Sequence, residues 1–279
     1  MIRILTILFL TLSLYASDIK IGYSIESMST VNKKDLKISM VIWIKEIISK
    51  TEYSAEYIDY DNSLSMAKDF NAGKLDLVID FGINFIKNYK IDNLVDGFRG
   101  GMKNGLKENI CIVLKKDSSL KDFAKIKKPI VALHAIEEIF KIYALVELLP
   151  NGKRHTFLET KKRTGSLLKL FFNKADAAIV VEKTFNFAKE LNPQIGKKLK
   201  IVAVSNAKAG AFGYFHKNFD VNKREAVINI ALDLDKSVRG RQLISLFQID
   251  KVERSKVTDL DNIKILYKEY TNLQRGKNK

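Results

Sequence analysis

The chain has 279 residues, 46% of them hydrophobic and 10% aromatic, with one cysteine and a formal net charge of +16. That is enough apolar material for one large or two medium packed domains, and a lone cysteine excludes both an internal disulfide and a multi-thiolate zinc site. The lysines are spread along the chain, with no aromatic-basic RNA motif and no zinc-finger spacing, which argues against nucleic acid as a partner and leaves a positive field able to draw in anionic solutes.

At the start, Met1-Ile2-Arg3 is followed by an apolar and hydroxyl run, Ile4 to Leu14, and then by Tyr15-Ala16-Ser17-Asp18. A basic end, a short apolar run and a small residue form the pattern of a signal peptide, here 1–16, cut after Ala16. The run falls short of the ~20 apolar residues of a membrane span, so the expected product is periplasmic and soluble. With no cysteine near the cut, a lipid anchor is not expected.

Residues 18–24 alternate as a strand, and a helix is expected over 33–49, capped by Ser29, Thr30 or Asn32. A strand follows over 53–60, a helix over 63–72 closed by Gly73, and a strand over 75–80. The stretch with Gly97, Gly100, Gly101 and Gly105 reads as a hinge approach to the strand 110–114, where Cys111 is expected to be a buried, inert thiol. After a Lys-rich loop over 115–128 come a strand at 129–134 and a helix from Ala135 to Leu149, ending before Pro150. Then come a strand (154–158), a helix (165–173), a buried strand (175–181), a helix (183–191), and strands at 199–204 and 213–216. The remainder reads as helical: 222–235, 237–247 and 259–273, with a basic tail from Arg275. Alternating strands and helices mean two α/β units with mainly parallel sheets. Because the last helices need a sheet to cover, lobe one is expected to be discontinuous, 17–100 plus 209–279, around lobe two, 101–208. No internal repeat is visible.

Several stretches, in order, carry a family resemblance: Lys20-Ile21-Gly22-Tyr23; Ala72-Gly73-Lys74-Leu75-Asp76-Leu77-Val78; Leu114 to Phe123; Phe171 to Ala178; and Leu232-Asp233-Leu234 leading to Gly240-Arg241-Gln242-Leu243-Ile244. In these the chain resembles the PhnD-like substrate-binding proteins of phosphate, phosphite and phosphonate ABC transporters. The resemblance implies a type II periplasmic-binding-protein fold whose two lobes close by hinge motion on a ligand. It also implies delivery to a membrane permease, and no chemistry. The family commonly opens the first helix of lobe two with a Ser/Thr/Gly run around the phosphoryl oxygens, where this chain has His134-Ala135-Ile136-Glu137-Glu138.

On that fold Tyr23 and Ser24, at the end of the first strand, are candidate ligand contacts. Asp80, Gly82 and Asn84 end the third strand and open a helix, where Asp80 either meets a ligand amine or caps the helix. His134 ends a strand at the cleft edge and is expected to hydrogen-bond the ligand, its surroundings offering no metal-ligand spacing. Arg163, with Thr164 and Ser166 at a helix start, is the leading anion-binding candidate. Glu182 follows a strand and either faces the cleft or stabilises its helix. No nucleophile elbow, zinc motif or phosphate loop is present, so neither cofactor, metal nor catalytic residue is expected. The expected ligand is anionic or zwitterionic, phosphonate-like or a carboxylate, bound by a monomer that serves a permease. The alternatives are a sensory module for a membrane kinase or chemoreceptor, and an enzyme of elimination or rearrangement using His134 with Glu182 or Asp80.

Overall fold

The computed structural model describes residues 18–24, 33–101, 109–135, 137–149, 154–246 and 249–277. The expected signal peptide, the candidate caps Ser29, Thr30 and Asn32, and Gly105 lie outside them. The chain begins β1 (Ile19–Ser24), α1 (Lys33–Ile48), β2 (Ala55–Tyr60), α2 (Ser63–Asn71), β3 (Leu77–Phe81), α3 (Gly82–Asn88) and β4 (Leu94–Gly101). It continues through β5 (Asn109–Lys115), α4 (Leu120–Lys125), β6 (Ile130–His134), α5 (Glu138–Tyr143) and a π-helical turn, Ala144–Leu148. Next come β7 (Thr156–Thr160), α6 (Arg163–Phe171), β8 (Ala177–Val181), α7 (Glu182–Leu191), α8 (Pro193–Lys198) and β9 (Leu199–Lys208). The last elements are β10 (Ala211–His216), α9 (Val221–Leu232), α10 (Val238–Leu246), β11 (Lys251–Ser255) and α11 (Asp261–Lys277).

Two sheets result, ordered β11-β4-β10-β3-β1-β2 and β7-β6-β8-β5-β9. The expected α/β architecture is there, but the sheets are mixed rather than mainly parallel. β2 and β3 flank β1 in parallel and β7 and β8 flank β6 in parallel, while β4, β10 and β11 pair antiparallel in the first sheet and β5 pairs antiparallel with β8 and β9 in the second. The antiparallel strands are the ones beside the two passages of the chain from sheet to sheet, β4 to β5 and β9 to β10. The second passage is Ala209-Gly210, and Gly210 sits at φ 119°, a conformation open to glycine and strained for other residues.

Of the glycine stretch read as a hinge approach, Gly97, Gly100 and Gly101 lie in strand β4, held between β10 and β11, and β11 itself falls in the gap between the expected helices 237–247 and 259–273. The Lys-rich loop contains α4, with a Ser119/Asp122 capping box, and α8 follows α7 after Asn192.

A repeat hidden in the sequence is plain in the structure. The orders β3-β1-β2 and β8-β6-β7 match, and the Lys20 N–H donates to Asp76 Oδ2 at 2.8 Å just as the Ile130 N–H donates to Asp176 Oδ2 at 2.8 Å. The N–H groups of Asp76 and Asp176 return to the carbonyls of Lys20 and Ile130 at 2.9 and 2.8 Å. α2 and α6 both close with a bond from a residue just beyond the helix, Lys74 N–H to Asp69 O at 3.0 Å and Lys174 N–H to Lys169 O at 2.8 Å. Each bond passes over a left-handed residue, Gly73 (φ 73°) and Asn173 (φ 59°). In this register Ser24 of β1 corresponds to His134 of β6, and Ser63 of α2 to Arg163 of α6.

α1, α9 and α10 cover one face of the first sheet through Trp43, Ile44, Val227, Ile228 and Leu243. α6, α7 and α8 cover one face of the second through Leu167, Leu170, Phe185 and Ile195. The other two faces share a single apolar cluster in which Phe85 and Phe212 of the first unit and Phe140 and Tyr143 of the second join Ile263 and Leu266 of α11. α11 therefore packs against both units and was not legible as more than a cover for the first sheet. Ile263 is fully buried, and Ile263→Ala is expected to lower stability by about 2–5 kcal/mol. In urea, wild type is expected to unfold in one transition by both fluorescence and circular dichroism, because the cluster couples the two sheets.

Candidate functional site

Strand alternation divides the end of β1. Tyr23 follows Ile19 and Ile21 into the cluster with Trp43 and is 2% exposed, so its side chain is core and not a ligand contact. Ser24 is fully buried, and its Oγ has no hydrogen-bond partner among the described residues.

Asp80 is also fully buried, and its carboxylate is a hub. Oδ2 accepts a short bond from Ser63 Oγ and one at 3.0 Å from the Tyr89 hydroxyl. Oδ1 accepts from Asn84 Nδ2 at 2.6 Å and from the Phe81 N–H at 2.8 Å. The N-terminal turns of α2 and α3 are thereby fixed to the end of β3, with both Asp80 oxygens engaged within the protein. Burial and the neighbouring Asp80 charge push the Tyr89 hydroxyl far above its ordinary range. Gly82 begins α3 where a Cβ would collide with Ile263 and Phe212, so its lack of a side chain lets α3 approach α11.

In the second unit the expected anion site is occupied from within. Arg163 donates from Nε at 2.6 Å and from Nη2 at 2.5 Å to one oxygen, Glu137 Oε1. His134 is fully buried; its Nε2 lies 3.3 Å from the Lys161 carbonyl, which can only accept, and its Nδ1 lies 3.5 Å from the same Glu137 oxygen. That last distance is an electrostatic contact and too long for a firm hydrogen bond. Glu137 Oε2 is buried with no hydrogen-bond partner among the described residues. Burial acts to raise the Glu137 carboxyl, and the Arg163 guanidinium and the His134 ring outweigh it, so the group sits below its ordinary pKa.

The remaining candidates lie apart from this pair. Thr164 is half-buried. Ser166 is fully buried and shares a 3.1 Å hydrogen bond with Thr160 Oγ1. Glu182 begins α7, and its charge, after burial, contributes to pushing the Cys111 thiol up to about 12.

A cavity of ≈580 Å³ lies between the two units. Asn62, Ser63, Gly82 and Asn84 form its wall on one side and Glu137 and Glu138 on the other, closed by Lys208 and Gly210 of the passage between sheets. Of the sequence candidates, Gly82 and Asn84 line it, and Asp80 stands one hydrogen bond behind. Lys87 Nζ crosses from α3 to Glu138 of α5 at 2.7 and 2.9 Å, both side chains being partly exposed. Lys208 has no carboxylate partner among the described residues. Sequence reasoning missed Asn62, Ser63, Lys87 and Lys208; the one local signal was Asn62, which follows a strand and caps α2 by accepting from the Ser65 N–H at 2.9 Å.

Residues 27–260 match the family model of the phosphonate periplasmic substrate-binding proteins of ABC transporters. The chain belongs to that family. The fold of this binding protein is shared with the binding component of an ABC phosphonate transporter from Pseudomonas aeruginosa, at a TM-score of 0.60 and 14% identity over 92% of this chain and 87% of that one. It is similar also to PhnD1 of Prochlorococcus marinus in complex with methylphosphonate (TM-score 0.60, 14% identity, 91% and 98% of the chains). A third similar structure is XAC2383 of Xanthomonas citri, bound to ATP (TM-score 0.60, 12% identity, 92% and 98%). No curated protein matches by sequence. As a family member the protein is a periplasmic solute-binding component that serves an ABC transporter.

Arg163→Ala strands a buried carboxylate, and a loss of about 3 kcal/mol or more is expected in urea denaturation. A carboxyl whose pKa is lowered on folding stabilises the native state above its unfolded pKa and loses that contribution as pH falls through the folded value. Wild type should therefore lose melting temperature on acidification below about pH 4.5 more steeply than Glu137→Gln. Cys111, with its thiol pushed up to about 12, should resist thiol reagents at pH 8 until the protein is unfolded.

Proposed function

We propose that the cavity between the sheets is the solute site, closed by movement of lobe one (17–100 plus 209–279) against lobe two (101–208) about the two passages of the chain. The observation that carries this reading is the composition of the wall: Asn62, Ser63, Gly82 and Asn84 from one side and Glu137 and Glu138 from the other. A solute there touches both lobes, so its binding energy favours the closed arrangement over the open one. The Lys87–Glu138 pair spans the lobes at partly exposed positions, where an ion pair contributes about 0–1 kcal/mol, enough to bias closure without locking it.

The solute is small and anionic or zwitterionic, of phosphonate or carboxylate type, with Lys208 as its cationic contact. The protein works as a monomer, since one chain supplies the whole wall, and hands its solute to a permease rather than to a sensor. It captures without turnover: the oxygens of Asp80 are engaged by Ser63, Tyr89, Asn84 and the Phe81 N–H, and Glu137 is clamped by Arg163. An export leader ending at Ala16 completes the reading.

The test is a thermal-shift and calorimetric screen of the chain from Ser17 against phosphonates, phosphate, phosphite, sulfonates, amino acids and dicarboxylates. A ligand at a hundredfold excess over its Kd adds about 2.7 kcal/mol to native stability, a readily visible shift. Lys208→Ala is expected to weaken the hit about tenfold. A hit unaffected by Lys208→Ala and by Ser63→Ala would place binding elsewhere.

A further inference from the structure

The outer face of the second unit carries apolar side chains that the packing of its helices does not use. Leu168 of α6 is 42% exposed and Phe172, just past its end, 63%; on α7 Phe187 is 54% exposed and Leu191 69%. Each pair is spaced i, i+4, so its members stand one above the other. β7 and β8 run parallel on either side of β6, and α6 and α7 turn back from the ends of these strands over the same face of the sheet, side by side. A Cβ on Gly196 of α8 would run into the stem of Lys189, so that side of α7 faces α8. Phe187 and Leu191 are each two residues from Lys189, about 200° around the helix, and therefore turn toward α6. At the end of α6, Phe171 lies under Lys198 Nζ, 4.8 Å from its ring centroid, and meets the Phe172 ring edge-on at 5.1 Å. The four exposed side chains thus share one seam. Glu137 and Glu138 of the cavity wall follow the end of β6, whereas α6 and α7 run away from that end, so Phe172 and Leu191 lie at the opposite end of the unit from the cavity.

The rim of the seam is basic. The chain holds no acid from Lys161 to Ala175, nor from Asn192 to Lys208. Lys174, Lys189, Lys197 and Lys198 are exposed, and Lys174 and Lys189 have no carboxylate partner among the described residues. The carboxylates next to these stretches are Asp176, which accepts the Ile130 N–H at 2.8 Å, and the exposed Glu190. Single exposed apolar residues are ordinary, but four along one seam with a cationic rim mark a contact surface. A bilayer surface matches both parts: its headgroup boundary takes Phe and Leu, and its phosphates take ammonium groups on flexible stems with no fixed geometry. We propose that this face of the second unit docks on the anionic lipid surface of the membrane, with Phe172, Phe187 and Leu191 entering the headgroup boundary and the lysines resting on lipid phosphates. The formal net charge of +16 draws the whole protein to the same surface. Docked in this way the cavity, at the far end, stays open to solute, and the search for the permease becomes diffusion in two dimensions.

Flotation of the chain from Ser17 with vesicles of phosphatidylcholine, alone or with a quarter of phosphatidylglycerol, is the test. The protein is expected to float with the phosphatidylglycerol vesicles only, and to be released as salt rises from about 0.1 M to about 1 M and screening shortens from about 10 Å to about 3 Å. Phe172→Ser with Phe187→Ser is expected to weaken binding about tenfold or more. Lys174→Gln with Lys189→Gln is expected to weaken it about fivefold for each lysine. Lys264→Gln with Lys268→Gln, the same charge change on exposed positions of α11, is expected to leave it unchanged. In Phe187→Trp the emission should shift to the blue when phosphatidylglycerol vesicles are added, the native Trp43 being buried already. An unchanged circular dichroism spectrum and melting temperature in each variant shows that the fold is kept. Equal binding to both kinds of vesicle, or to neither, overturns the proposal. So does an α11 pair as damaging as the α6 and α7 pair, which would reduce the effect to overall charge, or a phenylalanine pair that binds like wild type. Sedimentation of the protein alone should show a monomer; a dimer split by the two phenylalanine substitutions would give this face to a second copy and sink the lipid assignment.

Discussion

Burying a carboxylate in a protein interior costs several kcal/mol unless a partner of opposite charge and good geometry comes with it. Glu137 meets that requirement with Arg163 on α6, 26 residues further along the chain, and the architecture of the second unit follows from the pairing. It joins the start of α5 to the start of α6, and it turns what would otherwise be a cationic helix start into a neutral clamp. His134, at the end of the strand between them, adds a third group to the same oxygen. In the first unit Asp80 does the corresponding work for α2 and α3 through neutral hydroxyl, amide and backbone donors. Two internal acids, one compensated by charge and one by hydrogen bonds, set the shape of the cavity.

That symmetry is built on the backbone, not on side-chain identity. The aspartates that pin the two repeats, Asp76 and Asp176, stand in the same register, each exchanging hydrogen bonds with the strand beside it. Around them nearly everything else has diverged: Gly73 is matched by Asn173, the two residue types that tolerate a left-handed conformation most readily. Few shared letters remain, which is why the repeat was invisible in the sequence and plain once strand orders and caps could be compared.

Much of the fold was legible because burial writes a period into the chain. The apolar runs of β3, β6 and β8 and the helical spacing of α1, α2, α6 and α9 announce themselves. What was missed lacks such a period. β4, Leu-Val-Asp-Gly-Phe-Arg-Gly-Gly, is a strand because β10 and β11 hold it, and β11 carries a single apolar residue, Val252. α4 could have been read from Ser119 and Asp122, a cap signal passed over in a run of lysines. At the site the same divide holds. Gly82 and Asn84 followed from the rule that ligands gather at strand ends. The destination of Tyr23 was written in its alternation with Ile19 and Ile21, but the strand-end rule took precedence over it. The pairing of Arg163 with Glu137 is tertiary, and no local pattern in either segment contains the other. The sequence did flag Glu137 and Glu138 as unusual company for an oxyanion, and the structure supplies the reason for their presence.

α11 carries a consequence for how the polypeptide comes into being. Its residues Ile263 and Leu266 complete the cluster shared by both sheets, and β10 and β11, which flank β4, are likewise made after the whole of the second unit. Until the chain has been synthesised past β11 the first sheet lacks one or both of these two of its six strands, and until it has passed the start of α11 the common interior lacks one wall. Early segments can form local helices, but the contacts that would lock them are distant in sequence and arrive last, a topology that slows folding. A polypeptide built this way stays pliant through most of its synthesis, which is the state in which a chain can be threaded across a membrane before it becomes a rigid body.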